Sequence, residues 1–294
     1  MDKTSRRFVD LHTHSDASDG DLPPQEVVRL ADAAGMAVVA LTDHDTIAGL
    51  PAAARAAESL DVQFVNGVEI SAKFTGGVLH ILGLGINPND EVLNKMLDNL
   101  REARNERNPK MIAKLQHMGI DITMDELGQF ARSMRQESEQ TNEPLIIGRL
   151  HMAGLLVKKG YVKSIDEAFA RYLGEGKSAY VDKEKISPCQ AIEAIHAAGG
   201  LAILAHPIEL NCPNIAALET VVRNLMDDGL DGIEVYHSSH DSHQTRMYLD
   251  LARRYHLLVS GGSDFHGSAK PGVQIGFPRV SIEAVEEILA RLGL

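Results

Sequence analysis

Short apolar runs alternate with longer amphipathic stretches along most of this chain, and nearly every run ends in, or encloses, a histidine or an acid. No other feature constrains the fold as much. RFVDL (7–11), AVVALT (37–42), VQFVNGVEI (62–70), VLHILGL (78–84), LAILA (201–205), DGIEVY (231–236) and LLVS (257–260) have the length and content of strands. Helical patterns lie between them at 24–34, 50–60, 187–198, 214–228, 241–255 and 281–292. The first of these opens at Pro23 and Pro24 and closes before Gly35. Strands separated by helices pair in parallel through right-handed crossovers. Seven such units fit an α/β barrel, (β/α)7, better than an open sheet.

The alternation breaks between about 90 and 181, where helical patterns follow one another and only GIDIT suggests a brief strand. We expect a helical subdomain over 98–181, containing a soft polar stretch at 133–143, inserted into a barrel made of 1–97 and 182–294.

The chain of 294 residues carries 29 basic and 41 acidic groups, a net charge of −12. Residues 98–181 hold 13 basic and 12 acidic groups, so the acidity belongs to the barrel. An acidic body is a poor binder of duplex DNA, because phosphate affinity grows with local lysine and arginine. Aromatic content of 4% without tryptophan argues against stacking platforms for long single strands. No apolar run reaches the roughly 18 residues of a membrane span. MDKTSRRF enters the first strand with no apolar leader, so a cytoplasmic protein is expected. Cys189 and Cys212 fit a reducing compartment and are too few for a thiolate metal site.

In parallel α/β folds the carboxyl ends of the strands form one rim, where active sites gather. The polar groups of this chain fall there. His12 and His14 follow FVDL, Asp43, His44 and Asp45 follow VVAL, and Glu69 follows FVNGV. His80 interrupts VLHIL, His206 follows LAILA, and Asp264 and His266 follow LLVSGG. His12 and His14 stand two apart on a strand, so both point to one face. Crowding of this kind is rewarded when multivalent cations neutralise the repulsion. Nitrogen and oxygen donors without sulfur suit Zn²⁺, Mn²⁺ or Fe²⁺. Six histidines and several carboxylates exceed the needs of one ion; two or three divalent ions sharing Glu69 fit the count. His237, His240 and His243 follow GIEVY on the same rim, as a surface loop or as a leaving-group acid or substrate contact.

DLHTHSDASDG, LTDHDT, GVEIS, VLHILGL, LAHP and GGSDFHG, in this order, make the chain resemble the PHP (polymerase and histidinol phosphatase) family over nearly the whole barrel. The resemblance implies a distorted (β/α)7 barrel, a trinuclear metal site and phosphoester hydrolysis. It implies one ion held by His12, His14, Glu69 and Asp264, a second by Glu69, His80 and His206, and a third by Asp19, His44 and His266. Asp16 and Asp21 stand near enough to compete with Asp19. Within the family, LPPQEVV after the first motif, GRLHMAGLLVKKG and YLGEGKSAYV resemble the bacterial branch that removes the 3'-phosphate of nucleoside 3',5'-bisphosphates. That branch also includes enzymes that trim short RNA from the 5' end. By this resemblance Arg149 and His151 reach the substrate phosphate, with Lys177 and Tyr180 in the loop before the barrel resumes. Ile208, Glu209 and Leu210 stand where that branch commonly has Gly-Arg-Tyr, which removes a cation and adds an anion beside the site.

The expected activity is therefore a metal-dependent phosphoesterase acting on a small nucleotide or a short RNA end, through hydroxide generated on bridging ions. Asp10, Asp43 and Asp45 are expected to orient ligand imidazoles, and Asp45 is also a candidate proton donor. The alternatives are a phosphatase of another small metabolite, such as histidinol phosphate, and a catalytically idle binding module.

Overall fold

The computed structural model describes residues 7–134, 147–181 and 186–294, so most of the polar stretch expected at 133–143 lies outside the described residues. Eight strands form one sheet: β1 (Phe8–Asp10), β2 (Met36–Leu41), β3 (Gln63–Ala72), β4 (Leu79–Leu84), β5 (Leu201–Leu204), β6 (Gly232–His237), β7 (Leu258–Gly262) and β8 (Val280–Ser281). Their order is β7-β6-β5-β4-β3-β2-β1-β8. Beyond the strands the chain draws β7 back to β1. Leu11 N donates to Gly261 O at 3.2 Å, Asp264 N to His12 O at 2.8 Å, and His14 N to Phe265 O at 2.9 Å. These bonds nearly close the sheet into a barrel.

Uniform parallel pairing fails at β4, which runs antiparallel to both β3 and β5. The reason is length. Only residues 73–78 separate β3 from β4, and a parallel crossover needs a dozen or more. β8 was not expected either. Val280 and Ser281 pair antiparallel with β1, and the helical pattern read from 281 becomes a 3-10 turn at Ile282–Val285 followed by a helix at Glu286–Leu292. GIDIT is not a strand; Ile120 and Ile122 are simply buried.

The helices of the alternating part are α1 (Pro24–Ala33), α2 (Leu50–Ala57), α7 (Pro188–Ala197), α8 (Ile215–Asp227), α9 (Ser242–Tyr255) and α10 (Glu286–Leu292). Between β4 and β5 come α3 (Glu91–His117), α4 (Met124–Met134), α5 (Arg149–Lys158) and α6 (Ile165–Ala168), the last running into a π-helical turn at Phe169–Leu173. Asp90 caps α3 by accepting from Leu93 N at 2.8 Å. At 1.5 Å per residue this helix is about 40 Å long. Residue 98, the expected start of the insert, lies inside it. Its first half sends Leu93, Leu97 and Leu100 into the main core, and its second half sends Met111, Ile112 and Leu115 into a separate core with Met152, Leu156 and Leu173. Arg104, Arg107 and Asn108 are buried between those halves. The barrel interior is a third cluster, with Val9, Leu11, Val38, Leu82 and Ile203 packed beneath the site. Among the described residues no helix is long and apolar enough to cross a membrane.

Candidate functional site

His12 and His14 leave β1 on one face and bring their Nε2 atoms to 3.1 Å from each other. Glu69 Oε2 lies 3.4 and 3.2 Å from those two nitrogens, and Asp264 Oδ1 lies 3.6 and 3.3 Å from them. Glu69 is fully buried and serves two sides. Its Oε1 is 2.8 Å from both His80 Nδ1 and His206 Nε2, while its Oε2 is 2.9 Å from His44 Nδ1. Sheet register explains the reach of His80, since it pairs with Ser71, two residues beyond Glu69 on the same face of β3. A further group gathers around His14 Nδ1. Asp19 Oδ1 approaches it at 4.0 Å, and Asp19 in turn lies 3.2 Å from His266 Nε2 and 3.8 Å from His44 Nε2. All nine residues expected to hold ions therefore meet at one mouth. Asp21 turns away to accept from Ser268 N at 2.8 Å.

The donor set fits divalent cations. His12 and His14 present two ring nitrogens to each other where at most one proton can sit between them, and His80 and His206 do the same at 3.3 Å. His14 Nδ1, His44 Nδ1, Glu69 Oε2 and His206 Nδ1 are buried without an aligned hydrogen bond. These four atoms border groups of donors close enough to share a cation. The electrostatics agree. Burial alone would lower the pKa of His44 and His206, yet Glu69 and Asp19 around the first, and Glu209 and Glu69 around the second, lift both to about 9. Burial, with His266 beside it, pushes His14 down to about 4. Burial would raise Glu69, but His44, His80 and His12 hold it well below the usual carboxylate range.

The supports differ from those expected. Asp10 accepts from the backbone amides of Ser263 (2.8 Å) and Gly276 (2.7 Å), tying the end of β7 and the segment after it to β1. Asp43 accepts from Ser15 N (2.8 Å), Ser15 Oγ (2.6 Å) and Ser18 Oγ (2.6 Å), which shapes the loop bearing Asp19. Asp45 accepts from Ser71 N at 2.8 Å and pairs with the buried Arg104. The carboxylate that orients imidazole is Glu234 on β6. Its Oε1 is 3.0 Å from His12 Nδ1 and its Oε2 accepts from His206 N at 2.8 Å; the pull of His12, first, brings it to about 2 against its burial. Asp45 (φ 52°), His206 (φ 23°) and Asp264 (φ 57°) hold left-handed backbone, conformations that side chains tolerate where the surroundings fix them.

Above the cluster opens a cavity of about 1000 Å³. Arg104, Arg107, Arg149 and Tyr180 also line it. Arg149 lies 5.6 Å from the Phe169 ring and 5.7 Å from the Tyr180 ring. Burial, then Arg104 and Arg149, bring Arg107 down to about 9. Lys270 and Glu209 also line the cavity. Lys270 pairs with Asp264, and Glu209 Oε2 stands 3.5 Å from His206 Nδ1. Two residues expected at the phosphate are elsewhere. Lys177 is exposed and outside the cavity lining. His151 is buried, with its Nδ1 accepting from Gly148 N at 3.1 Å, because two helical positions from Arg149 it faces another way. His237 is buried rather than in a surface loop, with its ring 5.1 Å from that of His240, whose Nδ1 meets Val235 O at 3.0 Å. His243 is exposed.

Comparison with known proteins agrees with this geometry. The PHP domain model matches residues 10–181. The chain belongs to the PHP family. Among PHP relatives, a 3',5'-nucleoside bisphosphate phosphatase of Chromobacterium violaceum is 38% identical over 91% of this chain and 90% of its own. A 5'-3' exoribonuclease of Haemophilus influenzae is 39% identical over 87% of this chain and 89% of its own. A solved structure from Bifidobacterium adolescentis, put forward as a metal-dependent phosphoesterase, superposes with a TM-score of 0.82 at 32% identity, covering 97% of this chain and 96% of that one.

Sequence reasoning passed over Glu234, Arg104, Arg107 and Lys270. Glu234 left a signal, a lone acid inside the apolar strand DGIEVY. Arg104 and Arg107 left none, because nothing distinguishes them from a solvated helix face until α3 is seen packed on both sides.

Proposed function

We propose that this PHP protein hydrolyses a phosphate ester of a small nucleotide carrying a second phosphate, the 3'-phosphate of a nucleoside 3',5'-bisphosphate fitting best. The observation that carries the reading is that a buried cluster of histidines and carboxylates and the arginines Arg104, Arg107 and Arg149 line one cavity of about 1000 Å³. His12, His14 and Asp264 would hold one ion with Glu69, His80 and His206 a second with Glu69, and Asp19, His44 and His266 a third. Manganese, zinc and iron suit these donors. Ions so held supply Lewis acidity to the phosphoryl oxygens and a water acidic enough to ionise near neutrality.

The chain's own residues do the rest. Glu69 keeps two groups of histidines at a fixed separation, and Glu234 fixes His12 and the His206 backbone together. Arg149, steadied against two aromatic faces, and the buried Arg107 bind the non-reacting phosphate and set the distance to the ester. Arg104 is neutralised by Asp45 and holds α3 to it. A short RNA bearing a 5'-phosphate presents the same pair of groups, an anchored phosphate and a neighbouring ester.

The test is phosphate release by the Mn²⁺-loaded protein from a nucleoside 3',5'-bisphosphate, compared with a 5'-monophosphate, histidinol phosphate and a 5'-phosphorylated RNA pentamer. Preference for the bisphosphate or the RNA is expected. Equal turnover of histidinol phosphate, or inactivity on every substrate, would overturn the proposal.

A further inference from the structure

We infer that His237 positions Asp264 and is not itself a ligand. Its ring stands close enough to be mistaken for one, since His12, Glu234 and His237 bring donor atoms within 4.8 Å of one another. The hydrogen bonds at its other nitrogen decide otherwise. Ser239 N donates to His237 Nδ1 at 3.1 Å, and Ser239 Oγ lies 2.7 Å from the same atom. A backbone N–H can only donate, so Nδ1 holds the lone pair and the ring proton sits on Nε2. A protonated Nε2 has no lone pair for a cation.

That N–H is buried, has no aligned hydrogen bond among the described residues, and faces Asp264 Oδ2 at 3.3 Å. The attraction between this N–H and the carboxylate oxygen holds Asp264 in place without an aligned hydrogen bond. Lys270 reaches the same oxygen from the cavity side. Asp264 Oδ1 is left facing His14 Nε2 (3.3 Å), His266 Nδ1 (3.4 Å) and His12 Nε2 (3.6 Å). Asp264 is thus clamped by one oxygen and presents the other, although its backbone is left-handed at φ 57°. The inference rests on reading Asp264 as a holder of metal.

The experiment is a Mn²⁺ titration of metal-free protein by calorimetry, using wild type, Asp264→Asn, His237→Gln and His237→Leu, with circular dichroism to confirm folding. Glutamine can offer an N–H where Nε2 stood; leucine cannot. We expect His237→Leu to weaken Mn²⁺ binding about 10- to 100-fold, the usual effect of removing a ligand's support, and His237→Gln to stay within about threefold of wild type. Unchanged affinity in His237→Leu would overturn the inference. Loss of a whole equivalent of metal in His237→Gln, as in Asp264→Asn, would also overturn it by making His237 a ligand. Should His237→Leu not fold, a long-range ¹H–¹⁵N spectrum of the wild type decides, since a proton on Nδ1 contradicts the assignment. A wild type that binds no Mn²⁺ would instead sink the metal-centre reading.

Discussion

Arg107 and Arg104 stand three residues apart on α3 with different burdens. Arg104 has the carboxylate of Asp45, whereas Arg107 shares Asn108 Oδ1 at 3.0 Å. A buried guanidinium under repulsion from two like charges gains most from an arriving anion. Arg107→Ala and Arg149→Ala should each raise KM for a bisphosphate about 10- to 100-fold, from charge-assisted bonds of about 1.5–3 kcal/mol. Hydrolysis of an aryl monophosphate should be affected far less, and equal losses on both substrates would refute the assignment. A second residue-scale prediction concerns Asp43, which burial raises to about 6 despite its serine donors. A carboxyl whose folded pKa exceeds its unfolded value of 3.8 holds its proton more tightly when folded. Its contribution to stability is therefore full below about pH 4 and lost as pH rises to about 6, worth about 3 kcal/mol at most. Asp43→Asn should remove that slope from the metal-free protein's urea midpoints. An unaltered slope would show that other groups carry it.

At the scale of elements, β7 meets the segment after β1 with no room to spare. A Cβ at Gly262 would stand 2.5 Å from both His12 Cβ and His12 N and 2.9 Å from Asp10 Oδ1. Gly262→Ala should cost about 1–3 kcal/mol, as overpacking does, and should weaken Mn²⁺ binding by displacing His12. Wild-type melting and metal affinity would show that the strands can part without disturbing the site. Strands and helices of the alternating part were legible because apolar periodicity and turn residues act locally. DLHTH and SDFH were legible as rim motifs for the same reason, since strand ends need no knowledge of packing. The direction of β4 needed a count of connecting residues instead. Val280 and Ser281 are too short a strand to leave a period. Arg104, Arg107 and Lys270 gained their meaning only from what packs around them. His151 and Lys177 look like phosphate groups by type and neighbourhood in sequence, but helix geometry turns one inward and the other stands in solvent.

Across the whole molecule, one long helix joins two hydrophobic cores, and the cavity lies beside the join. Divalent ions that bind only the folded state stabilise it by mass action, about 2.7 kcal/mol at a free concentration of 100 times Kd. Chelation should therefore lower the melting temperature by several degrees, and Mn²⁺ should restore it. A melting curve indifferent to both would show that the cluster holds no metal in the folded protein. Closure of the barrel by bonds between residues 11–14 and 261–265 has a consequence for synthesis. A growing chain leaves the ribosome with its first histidines long before Asp264 and His266 exist. If the proposed ligands hold the ions, a half-made copy lacks two of them until β7 docks, so full metal loading is expected to wait for nearly the whole chain.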